Sequence, residues 1–387
     1  MPNPNAIISS FVGLEQPLDR ALEALRAGER IAVELDDDRR VQLEPADPRS
    51  SGFARILDGL SKQTLPAYLE IDPETDAISR LLIPYVARVG GIGYEAEGAL
   101  RVTLDASHAI HLLRFDNPDF VEFERELRGA LRAGQPVILV DDDTHQIIGV
   151  RAFTPDPDGP QPLLPPFPDP LFPPAPIPDY RDLIRRLRDW IRAILTWPWW
   201  WWSECVSMET AQRAFDSMAA ATCDPATIPP PCIPFLYPDD GCWARAHEIC
   251  RLMINSGLSP RKVWITCSPG EVLYVNTRNN PRCFVTWGWH VAPTLCVRYF
   301  AFPFVLPRTK RMVIDPSLFT TPVREATWKG VQGDPNATLT HTSADQFLPG
   351  GGADPTYSYT NHYLGVYRLD LQLRSVQYGP PPYAACP

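Results

Sequence analysis

The sequence predicts an α+β protein in two parts: an acidic N-terminal α+β domain over residues 1–152 and a C-terminal α+β domain over 203–387. Three observations carry this. Helix-like segments alternate with short apolar runs in both parts. Twelve of the 44 prolines in 387 residues fall between Pro155 and Pro178, marking a spacer. All nine cysteines follow residue 204.

Charge divides the chain in the same place. Residues 1–150 hold 15 Lys+Arg against 26 Asp+Glu, or -11; the remainder hold 21 against 20, or +1, which together make the net -10. An acidic unit joined to a near-neutral one lacks the basic face of a nucleic-acid binder. A hydrophobic content of 44% with 21% charged residues excludes wholesale disorder. There is no apolar run long enough to span a membrane, and MPNPNAIISSFVG shows no basic segment followed by an apolar core, so no signal peptide is read. Cysteine density points the other way, to disulfides and a secreted or exported, effector-like protein. Nine is odd, so at least one thiol lacks an intrachain partner.

Within 1–152 the sequence repeats a unit. Leu25-Arg-Ala-Gly28 precedes apolar Ile31 to Leu35, three aspartates (36–38) and a run from Val41 to Leu43. Leu131-Arg-Ala-Gly134 precedes Val137 to Val140, Asp141-Asp142-Asp143 and Ile147 to Val150. Each copy reads as a helix closed by glycine, then a hairpin with an acidic turn. Ala67 to Ile71 and Leu100 to Leu104 read as further strands. Consecutive aspartates point in alternating directions, unlike the alternate-residue ligands of calcium loops, so no metal is assigned. The domain is expected to target or restrain the catalytic part, or to bind a partner.

Residues 153–178 predict a stiff polyproline-like linker. Residues 179–196 predict an amphipathic helix with Leu183, Ile184, Leu187, Trp190, Ile191, Ile194 and Leu195 on one face and arginines on the other. With the tryptophans that follow, 179–202 is expected either to dock on the catalytic domain or to make peripheral membrane contact.

The chemistry concentrates after Tyr237-Pro-Asp239-Asp240-Gly241-Cys242-Trp243-Ala244-Arg245-Ala246-His247. From here the periodicity is helical, with Ala246, Ile249, Cys250, Met253 and Ile254 on one face, Gly257 as terminator and Asp239 or Asp240 as N-cap. Cys242 then occupies the first turn, where free N–H groups and the helix dipole lower a thiol pKa and can hold an oxyanion through the Cys242 and Trp243 amides. A nucleophilic thiolate needs a base and the base an orienting carboxylate. His290 lies in the strand-like Phe284-Val-Thr-Trp287-Gly-Trp289-His290, and Asp315 ends Met312-Val-Ile-Asp315 before Pro316. A helix-borne Cys followed by His and Asp on successive strands is the order of papain-like and transglutaminase-like folds. The bland alternative is a buried histidine with an aspartate turn. His247 and Cys250, three apart, lack a second pair at zinc-site spacing.

The run PDDGCWARAH, the WHVA around His290 and IDPSLF around Asp315 closely resemble the bacterial protein-glutaminase family, over roughly 230–330. The resemblance implies a transglutaminase-like catalytic fold, a Cys242–His290–Asp315 triad without cofactor or metal, and hydrolytic deamidation of glutamine in proteins or peptides. It also implies an N-terminal segment that blocks the cleft, although no inhibitory loop is recognisable and this N-terminal part is longer than expected. Trp287, Trp289 and Tyr237 are candidate walls of the substrate slot, or core residues. A transglutaminase and a papain-like protease would use the same triad. In an interaction scaffold all the cysteines would be structural, and the eight besides Cys242 would allow four bridges.

Overall fold

The computed structural model describes residues 6–36, 39–95, 98–153, 163–164, 205–225, 227–228, 230–300 and 307–387. The expected linker, apart from residues 153 and 163–164, and the expected amphipathic helix and tryptophan run at 179–202 lie outside the described residues.

The N-terminal part contains β1 (Ala6–Ser9), β2 (Val12–Leu14), α1 (Leu18–Arg26), β3 (Ile31–Leu35), β4 (Arg40–Leu43), α2 (Ser50–Gln63), β5 (Ala67–Ile71) and β6 (Ile78–Leu82). It continues with β7 (Tyr85–Glu95), β8 (Ala99–Leu104), β9 (His111–Arg114), α3 (Phe120–Ala133), β10 (Pro136–Asp141) and β11 (Ile147–Ala152). Alternating burial along β3, β8 and β9 follows from one apolar face per strand. The strands form two three-stranded sheets, β1-β5-β6 and β2-β3-β4, and a five-stranded sheet ordered β11-β10-β7-β8-β9. Both hairpins expected from the sequence, β3–β4 and β10–β11, are antiparallel pairs preceded by helices, but they sit in different sheets.

The C-terminal part follows with α4 (Met208–Ala219), α5 (Cys242–Asn255), β12 (Arg261–Thr266), β13 (Leu273–Asn276), β14 (Phe284–Trp287), β15 (Trp289–Phe300) and β16 (Pro307–Val313). After it come β17 (Val323–Arg324), α6 (Glu325–Gly330), β18 (Thr338–Thr342), β19 (Gln346–Leu348), β20 (Gly351–Ala353) and α7 (Ser358–Tyr378). A five-stranded antiparallel sheet ordered β17-β16-β15-β12-β18 carries α5 against β15. α5 is buried from Cys242 through Cys250, whereas Ile254, expected on its inner face, is 49% exposed.

The two parts share a core. Ala87, Leu100, Leu113 and Phe123 of the N-terminal sheet and helix belong to one apolar cluster with Trp243, Trp289 and Tyr367. α7 also packs on α2, placing Leu369 and Leu373 in the N-terminal core. The helices approach so closely that a Cβ on Gly59 would lie 2.5 Å from Leu369 Cδ2.

Three disulfides form, Cys205–Cys296, Cys223–Cys232 and Cys283–Cys386, so three of the four bridges allowed for the eight other cysteines are present; Cys242, Cys250 and Cys267 are free thiols. The first pins the chain after the linker to β15 and the third pins the C-terminus beside β14. Long closed loops of this kind remove a large part of the unfolded chain's freedom.

Candidate active site

Cys242 is the first residue of α5 and is 1% exposed. Gly241 precedes it with φ 77°, and a Cβ there would strike the Tyr367 ring at 2.3 Å, so the turn onto the nucleophile requires glycine. Neither expected aspartate caps the helix. Asp240 Oδ1 instead accepts from the Gly241 amide (2.7 Å) and from the His108 amide (3.2 Å). The Asp239 carboxylate is taken by Arg374 and by Asn280 Nδ2. The first intrahelical bond runs from Arg245 N to Gly241 O, which leaves the Cys242 and Trp243 amides among the unpaired donors of the first turn.

β15 brings His290 to the cysteine. His290 Nε2 is 3.0 Å from Asp315 Oδ2, which also accepts from Trp328 Nε1 at 2.9 Å, while Asp315 Oδ1 accepts from the Ser317 amide. Burial opposes ionisation of Asp315, but the bonds from His290 and Trp328 outweigh it and hold the carboxyl below its ordinary range. The His290 proton therefore sits on Nε2. Its buried Nδ1 has no hydrogen-bond partner and lies within 4.8 Å of Cys242 Sγ. Trp287 and Trp328 stack on the imidazole, with centroids at 4.4 and 5.5 Å, and fix its plane. The three residues read from sequence thus converge, in an arrangement that suits a nucleophile, a base and an orienting carboxylate.

A fourth residue was invisible in the sequence. His108, on the turn between β8 and β9, enters the site from the N-terminal part, and its Nδ1 stands 2.5 Å from Cys242 Sγ. Its Nε2 donates to the Asp239 carbonyl at 2.9 Å, so Nδ1 is the bare nitrogen facing the thiol. The backbone is gripped on both sides: the His108 amide donates to Asp240, and its carbonyl accepts from the Gly288 amide at 2.9 Å. Trp243, Trp287 and Trp289 surround the ring at centroid distances of 6.3, 5.2 and 5.5 Å. Trp287 and Trp289 thus pack around the His108 ring. Tyr237 does not: it stacks on Tyr367 beneath the Arg374 guanidinium and faces a separate cavity with Asp141 and His145.

This arrangement reverses one expectation. Burial, reinforced by Asp240, pushes the Cys242 thiol well above its usual range, despite Arg245 and a bond from the Val291 amide. Burial likewise holds His108 well below the ordinary imidazole value, hence neutral. The helix N-terminus alone does not make a thiolate while the slot is filled and dry.

The crystal structure of a pro-protein-glutaminase aligns at 19% identity and TM-score 0.48, covering 79% of this chain and 98% of that one. A crystal structure of protein-glutaminase aligns at 26% identity and TM-score 0.36, covering 43% and 90%. The NMR structure of protein-glutaminase from Chryseobacterium proteolyticum aligns at 25% identity and TM-score 0.37, covering 47% and 97%. No curated protein matches. Residues 211–332 match the model of the family described as Glutaminase, and Cys242, His290 and Asp315 all lie inside that segment.

Proposed function

We propose that the protein hydrolyses the side-chain amide of glutamine in proteins or peptides, with Cys242, His290 and Asp315 as its triad, and that the N-terminal part holds it latent. The observation that carries this is how His108 occupies the slot. It enters side chain first, with its backbone held outside by Asp240 and Gly288. Three bonds separate Cα from Nδ1 in histidine, and three separate Cα from Cδ in glutamine. The atom 2.5 Å from Sγ thus stands where the carboxamide carbon of a seated glutamine would be attacked. Asparagine falls one bond, about 1.5 Å, short of the sulfur. A peptide bond, the target of a protease, would stay outside with the backbone.

Once the slot is vacated, His290 Nδ1 takes the Cys242 proton and the thiolate adds to Cδ. The oxyanion is met by first-turn amides of α5, those of Cys242 and Trp243. The imidazolium, held in register by Asp315, returns the proton to departing ammonia and leaves a thioester. Water activated by His290 then releases glutamate. Two further readings rest on sequence pattern: the repeated helix–hairpin is a duplicated element, and 179–202, outside the described residues, either docks on the catalytic domain or makes peripheral membrane contact. Export to an oxidising compartment is supported by the three disulfides.

The test is ammonia release from a glutamine-containing protein by the chain cut between residues 164 and 205, with intact mass recorded. Ammonia matched by about one mass unit per event, and lost in Cys242→Ala, is expected for a thioester route. Crosslinked or shortened substrate would replace deamidation by transglutamination or proteolysis.

A further inference from the structure

The turn that carries His108 leads directly into a second group of ligating side chains which deamidation does not use. His111 begins β9, Asp141 ends β10, and His145 lies in the β10–β11 turn. His111 Nδ1 and His145 Nδ1 each lie 2.9 Å from Asp141 Oδ2, and the three atoms fall within 4.8 Å of one another. His111 is wholly buried and His145 is 7% exposed.

Two imidazole nitrogens and a carboxylate oxygen are a zinc ligand set, and the nitrogens disfavour calcium and magnesium. An ion about 2.0–2.2 Å from each donor spaces tetrahedral ligands by roughly 3.3 Å, so each imidazole nitrogen would move about 0.4 Å away from Asp141 Oδ2 to admit it. An outer partner is in place: His111 Nε2 lies 3.1 Å from Ser107 Oγ and can donate its proton there once an ion displaces the Nδ1 proton now given to Asp141 Oδ2. Asp141 and His145 also face a cavity of about 50 Å³ between the N-terminal sheet and α7, room enough for a water ligand. Asp142 and Asp143 line that cavity beside Asp141, and Arg374 in its wall is bound to Asp239 and Asp143. The field there favours an incoming cation.

We propose that His111, Asp141 and His145 bind one zinc-class divalent ion, and that the ion fastens the His108 loop in the active site. The coupling is short: Ser107 Oγ contacts His111 Nε2 and accepts from the Ala109 amide at 3.1 Å, so fixing His111 fixes the turn around His108. The fastening rests on the latency reading above; the binding does not.

The experiment uses the full chain, stripped with a chelator and dialysed against zinc or cobalt. One ion per chain is expected in wild type and in Cys242→Ala. Affinity falls in Asp141→Asn and His145→Asn by more than the ~10–100-fold that loss of an outer-sphere partner costs. Asn at 145 tolerates the left-handed φ of 57° found there, and metal-free melting shows whether either variant is folded. The cobalt form should show tetrahedral d–d bands without thiolate charge transfer. Zinc should lower the residual ammonia release of the full wild-type chain and leave that of the folded full-length Asp141→Asn chain unchanged. No stoichiometric ion in wild type, or an ion retained in folded variants, overturns the site. A thiolate-to-cobalt band that vanishes in Cys242→Ala also overturns it, moving the ion to His108, Cys242 and His290. Bound zinc without effect on residual activity overturns the fastening.

Discussion

Replacing His108 by alanine should switch the intact chain on. The imidazole makes two hydrogen bonds, to the Asp239 carbonyl and the Cys242 thiol, and is 1% exposed. The bonds contribute about 0.5–1.5 kcal/mol each, and burial of the ring about 2 kcal/mol more. The backbone bonds of residue 108 to Asp240 and Gly288 survive, as does the shared apolar core. Docking of the loop is therefore weakened by about 3–5 kcal/mol, which is a shift of roughly 10²- to 4,000-fold toward an open slot. The assay is ammonia release from a short glutamine peptide by full-length wild type, full-length His108→Ala and the separated catalytic part. The variant should exceed wild type by that factor, with the catalytic part as ceiling. Alkylation of Cys242 should accelerate in parallel, because the thiol regains water and its pKa falls. If His108→Ala stays as silent as wild type while the cut protein is active, the ring is not the barrier and the reasoning fails.

Two further outcomes follow from the same coordinates. In His108→Gln the carboxamide carbon replaces Nδ1 beside the sulfur, so the chain should deamidate itself and the peptide bearing residue 108 should gain about one mass unit, whereas His108→Asn, one bond short, should not; equal conversion of both would remove the basis for glutamine selectivity. Lys262 is buried with its Nζ on His247 Nδ1 and the Gln346 carbonyl, and burial pushes its pKa down to about 8 from 10.5. Between those values the unfolded chain keeps a proton that the folded chain has lost, so stability rises with pH. Relative to Lys262→Met, wild type should gain up to about 3 kcal/mol in denaturant unfolding between pH 8 and 10.5. A gap that does not change with pH would mean that Lys262 does not titrate there.

The sequence by itself determined the secondary structure around the nucleophile and the order Cys242, His290, Asp315. Local rules suffice for this: Gly241 forces the turn, the helical period starts at Cys242, and alternating strands end near the base and the carboxylate. That the Trp328 indole holds Asp315 is shown only by the fold. Tertiary structure decided everything that depends on the N-terminal part. No periodicity or motif distinguishes His108 from any other histidine in a turn, because its partner lies 134 residues away and is reached only when two sheets share a core. Likewise Asp141 read as one member of a solvated acidic turn until the fold set His111 and His145 on either side of it. The state of the Cys242 thiol was misjudged for the same reason. Its position on the helix is local, but the water around it is controlled by a loop from elsewhere in the chain, and desolvation outweighs the helix terminus.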